Sequence, residues 1–125
     1  MSTDFTLELV GDYIRVNLPI NYELTPESRQ KFWLSIGEAH RKYNCFRVLA
    51  ESPGPPIRKM RRSDSLKSVL QAAKASHELR VAFVFPGYDT DETTEFFIAT
   101  AYKLGIRIEF FQGREEAIQW LRLGG

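Results

Sequence analysis

The run Val81-Ala-Phe-Val-Phe85 is apolar at every position, and it constrains the fold more than any other stretch of the chain. A short strand that is apolar on both faces needs cover on both sides, which places it centrally in a sheet with parallel neighbours. The flanking segments supply that setting. Phe5, Leu7 and Leu9 alternate with Thr6 and Glu8, and Ile14, Val16 and Leu18 alternate with Tyr13, Arg15 and Asn17. That period of two predicts half-buried strands, and Gly11-Asp12 between them suits a type II′ hairpin because glycine accepts the positive φ. Thr25-Pro26-Glu27 is a helix start, and Phe32, Ile36, Ala39 and Tyr43 then share one face as far as Tyr43 or Asn44. Phe46 to Ala50 is the next short strand. Ser63 or Asp64 is expected to cap a second helix with Leu66, Val69, Leu70, Ala73 and His77 on one face. After the strand Arg80 to Phe85, Asp89 with Glu92 forms a capping-box-like pattern that introduces a third helix, ending at Leu104 before Gly105. Ile106, Ile108 and Phe110 alternate with Arg107 and Glu109, as on a strand with a solvated face or at an edge. A last helix spans Arg114 to Leu123.

The order β-β-α-β-α-β-α-β-α predicts an α/β fold: about five strands in a mixed, mostly parallel sheet, an N-terminal antiparallel hairpin and four helices. A length of 125 residues with 43% hydrophobic content matches a single domain over 1–125. The net charge of +1 gives no general field toward nucleic acid or anionic membrane, so any electrostatic attraction is local and no nucleic-acid partner is expected. The single cysteine, Cys45, suits a reducing compartment, with cytoplasm as the default. The start MSTDFTLEL lacks a basic leader, and no apolar run is long enough for stable membrane insertion.

The chemistry-bearing residues gather in two segments. In Glu51–Ser65, ESPGPPIRKMRRSDS, a stiff loop precedes Arg58, Lys59, Arg61 and Arg62 and then a helix start. The segment leaves the C-terminal end of a parallel strand, where ligands bind in open α/β sheets, and its cations with the helix N–H groups suit a phosphate, a carboxylate or an acidic partner. The plainer reading is a solvated charged loop. The second segment, Gly87–Glu95, follows the next strand with Asp89, Asp91, Glu92 and Glu95, an acidic edge beside the basic one. Complementary pairing there predicts either contact within the molecule or a homodimer. Capping and the helix dipole also explain these acids, and no metal is predicted. His40 and His77 lack zinc-pair spacing, Cys45 has no neighbouring histidine, and GxSxG, Walker A and GxGxxG loops are absent. Trp33, Trp120, Phe96-Phe97 and Phe110-Phe111 are core aromatics by default, although they leave room for a crevice holding an apolar ligand.

The C-terminal stretch Ile106-Arg-Ile-Glu-Phe-Phe-Gln-Gly-Arg-Glu-Glu-Ala-Ile-Gln-Trp-Leu121 resembles the closing strand, turn and helix of the SpoIIAA-like, or STAS-like, family of small bacterial α/β domains. The element order agrees along nearly the whole chain. The resemblance implies a regulatory or protein-binding domain without catalysis or cofactor. It also implies a serine phospho-switch in an Asp-Ser-Ser/Thr-Gly-like turn at a helix start. Here Asp64-Ser65 answers to that turn, followed by Leu66-Lys67, which makes Ser65, with Ser63 beside it, the candidate for phosphorylation. The first expectation is therefore a non-enzymatic, cytosolic interaction domain whose partner is a protein or a second copy. Its alternative is a carrier or sensor of a small anionic or lipid-like ligand.

Overall fold

A computed structural model describes residues 5–19, 25–54 and 61–123. The opening strands β1 (Thr6–Val10) and β2 (Tyr13–Asn17) pair antiparallel from Val10↔Tyr13 outward, across a two-residue turn in which Gly11 takes φ 60°. Helix α1 (Pro26–Tyr43) starts as the sequence predicts. The Thr25 side chain accepts from the Ser28 N–H while the Ser28 hydroxyl accepts from the Thr25 N–H, and Pro26 needs no partner at the first helical position. It ends at Asn44 in the left-handed region.

The rest alternates strictly: β3 (Arg47–Glu51), α2 (Arg62–Ala75), β4 (Arg80–Val84), α3 (Glu92–Lys103), β5 (Arg107–Phe111) and α4 (Arg114–Leu123). The sheet order is β1-β2-β3-β4-β5, parallel from β2 onward, with β5 at an edge and β4 between two neighbours, as its apolar sequence requires. Right-handed crossovers that always step the same way put α1, α2 and α3 on one face, leaving the other face to α4. Two cores result. Ile14, Val16, Val48, Val81, Phe83 and Ile108 meet Phe32, Trp33, Ile36, Val69 and Phe97 on the three-helix side. Tyr13, Leu49, Ala82 and Val84 meet Ala117 and Leu121 beneath α4. Trp33 and Phe97 are thus core residues. Phe83 stacks on Phe110 at 5.0 Å at the centre of the larger layer.

Local details depart from the sequence reading around α2 and α3. Helix α2 begins at Arg62, its N-cap is Arg61 with no side-chain cap, and Ser63 and Asp64 lie inside the first turn rather than capping it. Its buried side is Ser65, Ser68, Val69 and Ala72, while Leu66 and Leu70 are 44% and 49% exposed and His77 lies beyond the helix end. The reason is proximity to α1: a Cβ on Gly37 would sit 3.1 Å from the Ala75 Cβ, so small residues fill this seam. In α3 the cap is Asp91, not Asp89, accepting from the Thr94 N–H at 2.9 Å.

Candidate functional site at the C-terminal rim of the sheet

Strands β3 and β4 are adjacent and parallel, so the chain leaving Glu51 and the chain leaving Val84 emerge side by side from one rim. Helices α2 and α3, which start beyond those exits, are in contact there: the Arg62 guanidinium lies over the Phe96 ring at 5.1 Å. The start of α2, with Arg61 and Arg62, and the acidic segment therefore share one end of the sheet. Arg61, Arg62 and Ser63 are exposed on the α2 side, and Asp89, Glu92 and Glu95 are exposed on the α3 side. Arg58 and Lys59 lie outside the described residues. Among the described residues, Arg61 and Arg62 form no ion pair with Asp89, Glu92 or Glu95.

The two flanks are held differently. On the α2 side, Arg29 of α1 is 4% exposed and donates to Asp64 Oδ1 at 3.4 Å and to Gln71 Oε1 at 3.1 Å, while Trp33 Nε1 donates to Ser68 Oγ at 2.7 Å. This polar seam fixes the first turns of α2. Asp64 is thus engaged with α1, and the Ser65 hydroxyl, on a side chain with 0% exposure, donates to the Arg61 carbonyl at 3.1 Å. Ser63 is the hydroxyl in this turn that faces solvent.

On the α3 side, Gln112 accepts from the Gly87 N–H at 2.7 Å and donates to the Tyr88 carbonyl at 2.6 Å, pinning the turn after β4. The Tyr88 hydroxyl then meets Thr94 Oγ1 at 2.6 Å, so Asp91 is placed to cap the helix. Among the described residues there is no group of three or more His, Cys, Asp or Glu side chains placed to hold a metal ion.

Sequence reasoning missed one constellation at this rim. On the α4 face, Glu51 accepts from Arg15 at 3.1 Å and from Arg114 at 2.9 to 3.2 Å through both carboxylate oxygens. Hydrogen bonds and charge from Glu51 raise the Arg114 pKa further. Arg15 Nε is buried with no hydrogen-bond partner. The available signal was the polar parity of Arg15 and Glu51 on strands whose other face is apolar. Their meeting across two strands depends on register, Arg15↔Leu49 and Asn17↔Glu51.

No protein-family model matches the chain. No curated protein matches it either. Solved structures do match: that of the anti-sigma factor antagonist SpoIIAA in its unphosphorylated form is 16% identical, covers 95% of this chain and 98% of that one, and superposes with a TM-score of 0.50. At that identity the likeness concerns the fold. The chain has the STAS-like, SpoIIAA-like arrangement expected from its closing strand, turn and helix.

Proposed function

We propose that this chain is a non-enzymatic regulatory domain that works by binding a protein, with the starts of α2 and α3 as its contact surface. The observation that carries the reading is the juxtaposition of two oppositely charged segments at one rim, bridged by Arg62 over Phe96 yet not neutralising each other. Exposed cations beside exposed acids fit a surface of complementary charge, offered by a protein partner or by a second copy of this chain. The fold it shares with an anti-sigma factor antagonist supports the same class of activity.

Phosphorylation would act here through Ser63. A phosphate on that hydroxyl sits in the first turn of α2, where the positive end of the helix dipole and the guanidiniums of Arg61 and Arg62 stabilise added negative charge. Ser65 is reached only when that turn opens.

The test is charge reversal. The variant R61E/R62E should lose partner capture from the native host and any self-association seen by sedimentation velocity, while keeping its far-UV circular dichroism. Unchanged capture and unchanged sedimentation would reject the surface. A thermal-shift panel of nucleotides, phosphates and fatty acids addresses the carrier alternative, since a ligand at about 100 times its Kd adds about 2.7 kcal/mol to stability.

A further inference from the structure

Three parallel strands open on one motif: Phe46-Arg47-Val48, Leu79-Arg80-Val81 and Ile106-Arg107-Ile108. Register pairs Arg47 with Arg80 and Arg80 with Arg107, so their Cα atoms form a row with steps of about 4.8 Å. Leu49, Ala82 and Phe111, an even number of residues further along the same strands, pack beneath α4, so all three side chains start on that face, and Arg107, on the edge strand, turns its guanidinium around the sheet edge to Tyr102 of α3. The row lies at the N-terminal end of the sheet, opposite the rim described above.

Each guanidinium is braced by an aromatic ring: Arg47 on Phe46 at 4.7 Å, Arg80 on Trp120 at 3.9 Å, Arg107 on Tyr102 at 4.2 Å. Stacking fixes the plane of a guanidinium and leaves its in-plane N–H groups to donate. Some of these are used. Arg47 Nε donates to the Leu121 carbonyl at 3.2 Å, and Arg80 donates through Nε and Nη2 to the Trp120 carbonyl at 3.1 and 2.6 Å, satisfying the last turn of α4. With five N–H groups per guanidinium, most donors remain, and Arg107 makes none of these bonds. No carboxylate pairs with any of the three among the described residues. Burial first, then the neighbouring charges of Arg107 and Arg47, lower the Arg80 pKa. The negative end of α4 offsets only about half a unit of charge.

We propose that the Arg47–Arg80–Arg107 row binds an anion carrying two or more adjacent phosphate groups. A single carboxylate cannot span a row about 10 Å long, whereas linked tetrahedral oxyanions present acceptors to several guanidiniums at once. This site is independent of the protein-binding rim.

Isothermal titration of the intact chain with tripolyphosphate, inorganic phosphate and vesicles containing phosphatidylinositol bisphosphate tests it. Tripolyphosphate should bind more tightly than phosphate, with affinity falling as salt rises. R107Q, which removes an exposed guanidinium stacked on Tyr102, should keep the wild-type melting temperature and bind about tenfold more weakly. K74Q on α2 should bind as wild type. Response in the vesicle arm alone would assign the phosphates to a lipid headgroup, and response to tripolyphosphate to a free anion. Absence of binding in every arm, an R107Q protein that binds like wild type, or equal loss in K74Q would overturn the proposal. R61E/R62E should retain phosphate binding, so failure of this site and failure of the protein-binding rim are distinguishable.

Discussion

The hydrogen bond from Trp33 Nε1 to Ser68 Oγ offers the sharpest test of how the rim is held. Both groups are buried, Trp33 at 2% and Ser68 at 3% exposure, and the bond is 2.7 Å long. Ser68→Ala removes an acceptor and leaves a buried indole N–H without its partner. The cost of such an orphan is about 1–3 kcal/mol, with little cavity penalty because only one oxygen is lost. For a chain of 125 residues, each kcal/mol moves the melting temperature by about 4 °C, so S68A should melt about 4–12 °C below wild type. The diagnostic quantity is the coupling. In a Trp33→Phe background the donor is gone, and adding S68A should cost less than about 0.5 kcal/mol, because nothing remains to be orphaned. The cycle is read by urea denaturation of four proteins with matched m-values. A cost for S68A that is the same in both backgrounds would refute the reasoning and locate its effect in helix packing instead. Since this seam positions the first turns of α2, S68A should also weaken partner capture more than its stability loss alone predicts.

Other perturbations separate neighbouring residues. Ser65→Asp places a charge at a position with 0% exposure and should cost more than about 3 kcal/mol, whereas Ser63→Asp, exposed in the same turn, should stay within about 0.5 kcal/mol of wild type. Equal denaturation midpoints for the two variants would contradict the burial argument. Gly105 has φ 87°, and a Cβ there would lie 3.0 Å from the His77 carbonyl oxygen, so Gly105→Ala should lose about 1–2 kcal/mol by urea titration. Glu51→Gln removes the charge shared by Arg15 and Arg114. It should cost about 1–2 kcal/mol at low salt and less at 1 M salt, and a salt-independent loss would show that the hydrogen bonds, not the charge, hold this corner.

Much of the architecture was legible because period and punctuation agreed. Thr25-Pro26 fixed a helix start, Gly105 a stop, and the apolar run from Val81 a buried strand, each by a local steric or hydrogen-bonding rule. The face of α2 was not legible for a physical reason. Hydrophobicity favoured Leu66 and Leu70 beside Val69 as the inner side, but α1 approaches closely at Gly37, so Ser65, Ser68 and Ala72 turn inward with Val69 while the two leucines stay out. The start of α3 failed similarly. Asp89 and Asp91 are both competent caps, and the choice is made by Gln112, which pins Gly87 and Tyr88 from 25 and 24 residues away in sequence. At the candidate site, Arg61, Arg62 and the acids were found because charge runs are visible in one dimension. The Arg47–Arg80–Arg107 row is spread over separate strands, and only register brings it together.

The same register explains why charge gathers at both ends of the α4 face. A ten-residue helix is about 15 Å long, close to the length of the five-residue strands it covers, so side chains at the strand ends meet its two ends. At one end Glu51 binds Arg114, the first residue of α4, and at the other Arg47 and Arg80 bind its last carbonyls. The helix is therefore clamped electrostatically at both ends while Ala117 and Leu121 provide its apolar seat. The two clamps differ in what they leave over. Around Glu51 a carboxylate faces two guanidiniums, but along the arginine row carbonyl dipoles face the full charges of Arg47 and Arg80, and Arg107 adds a third charge beside them. That imbalance gives the N-terminal end its capacity to attract an anion.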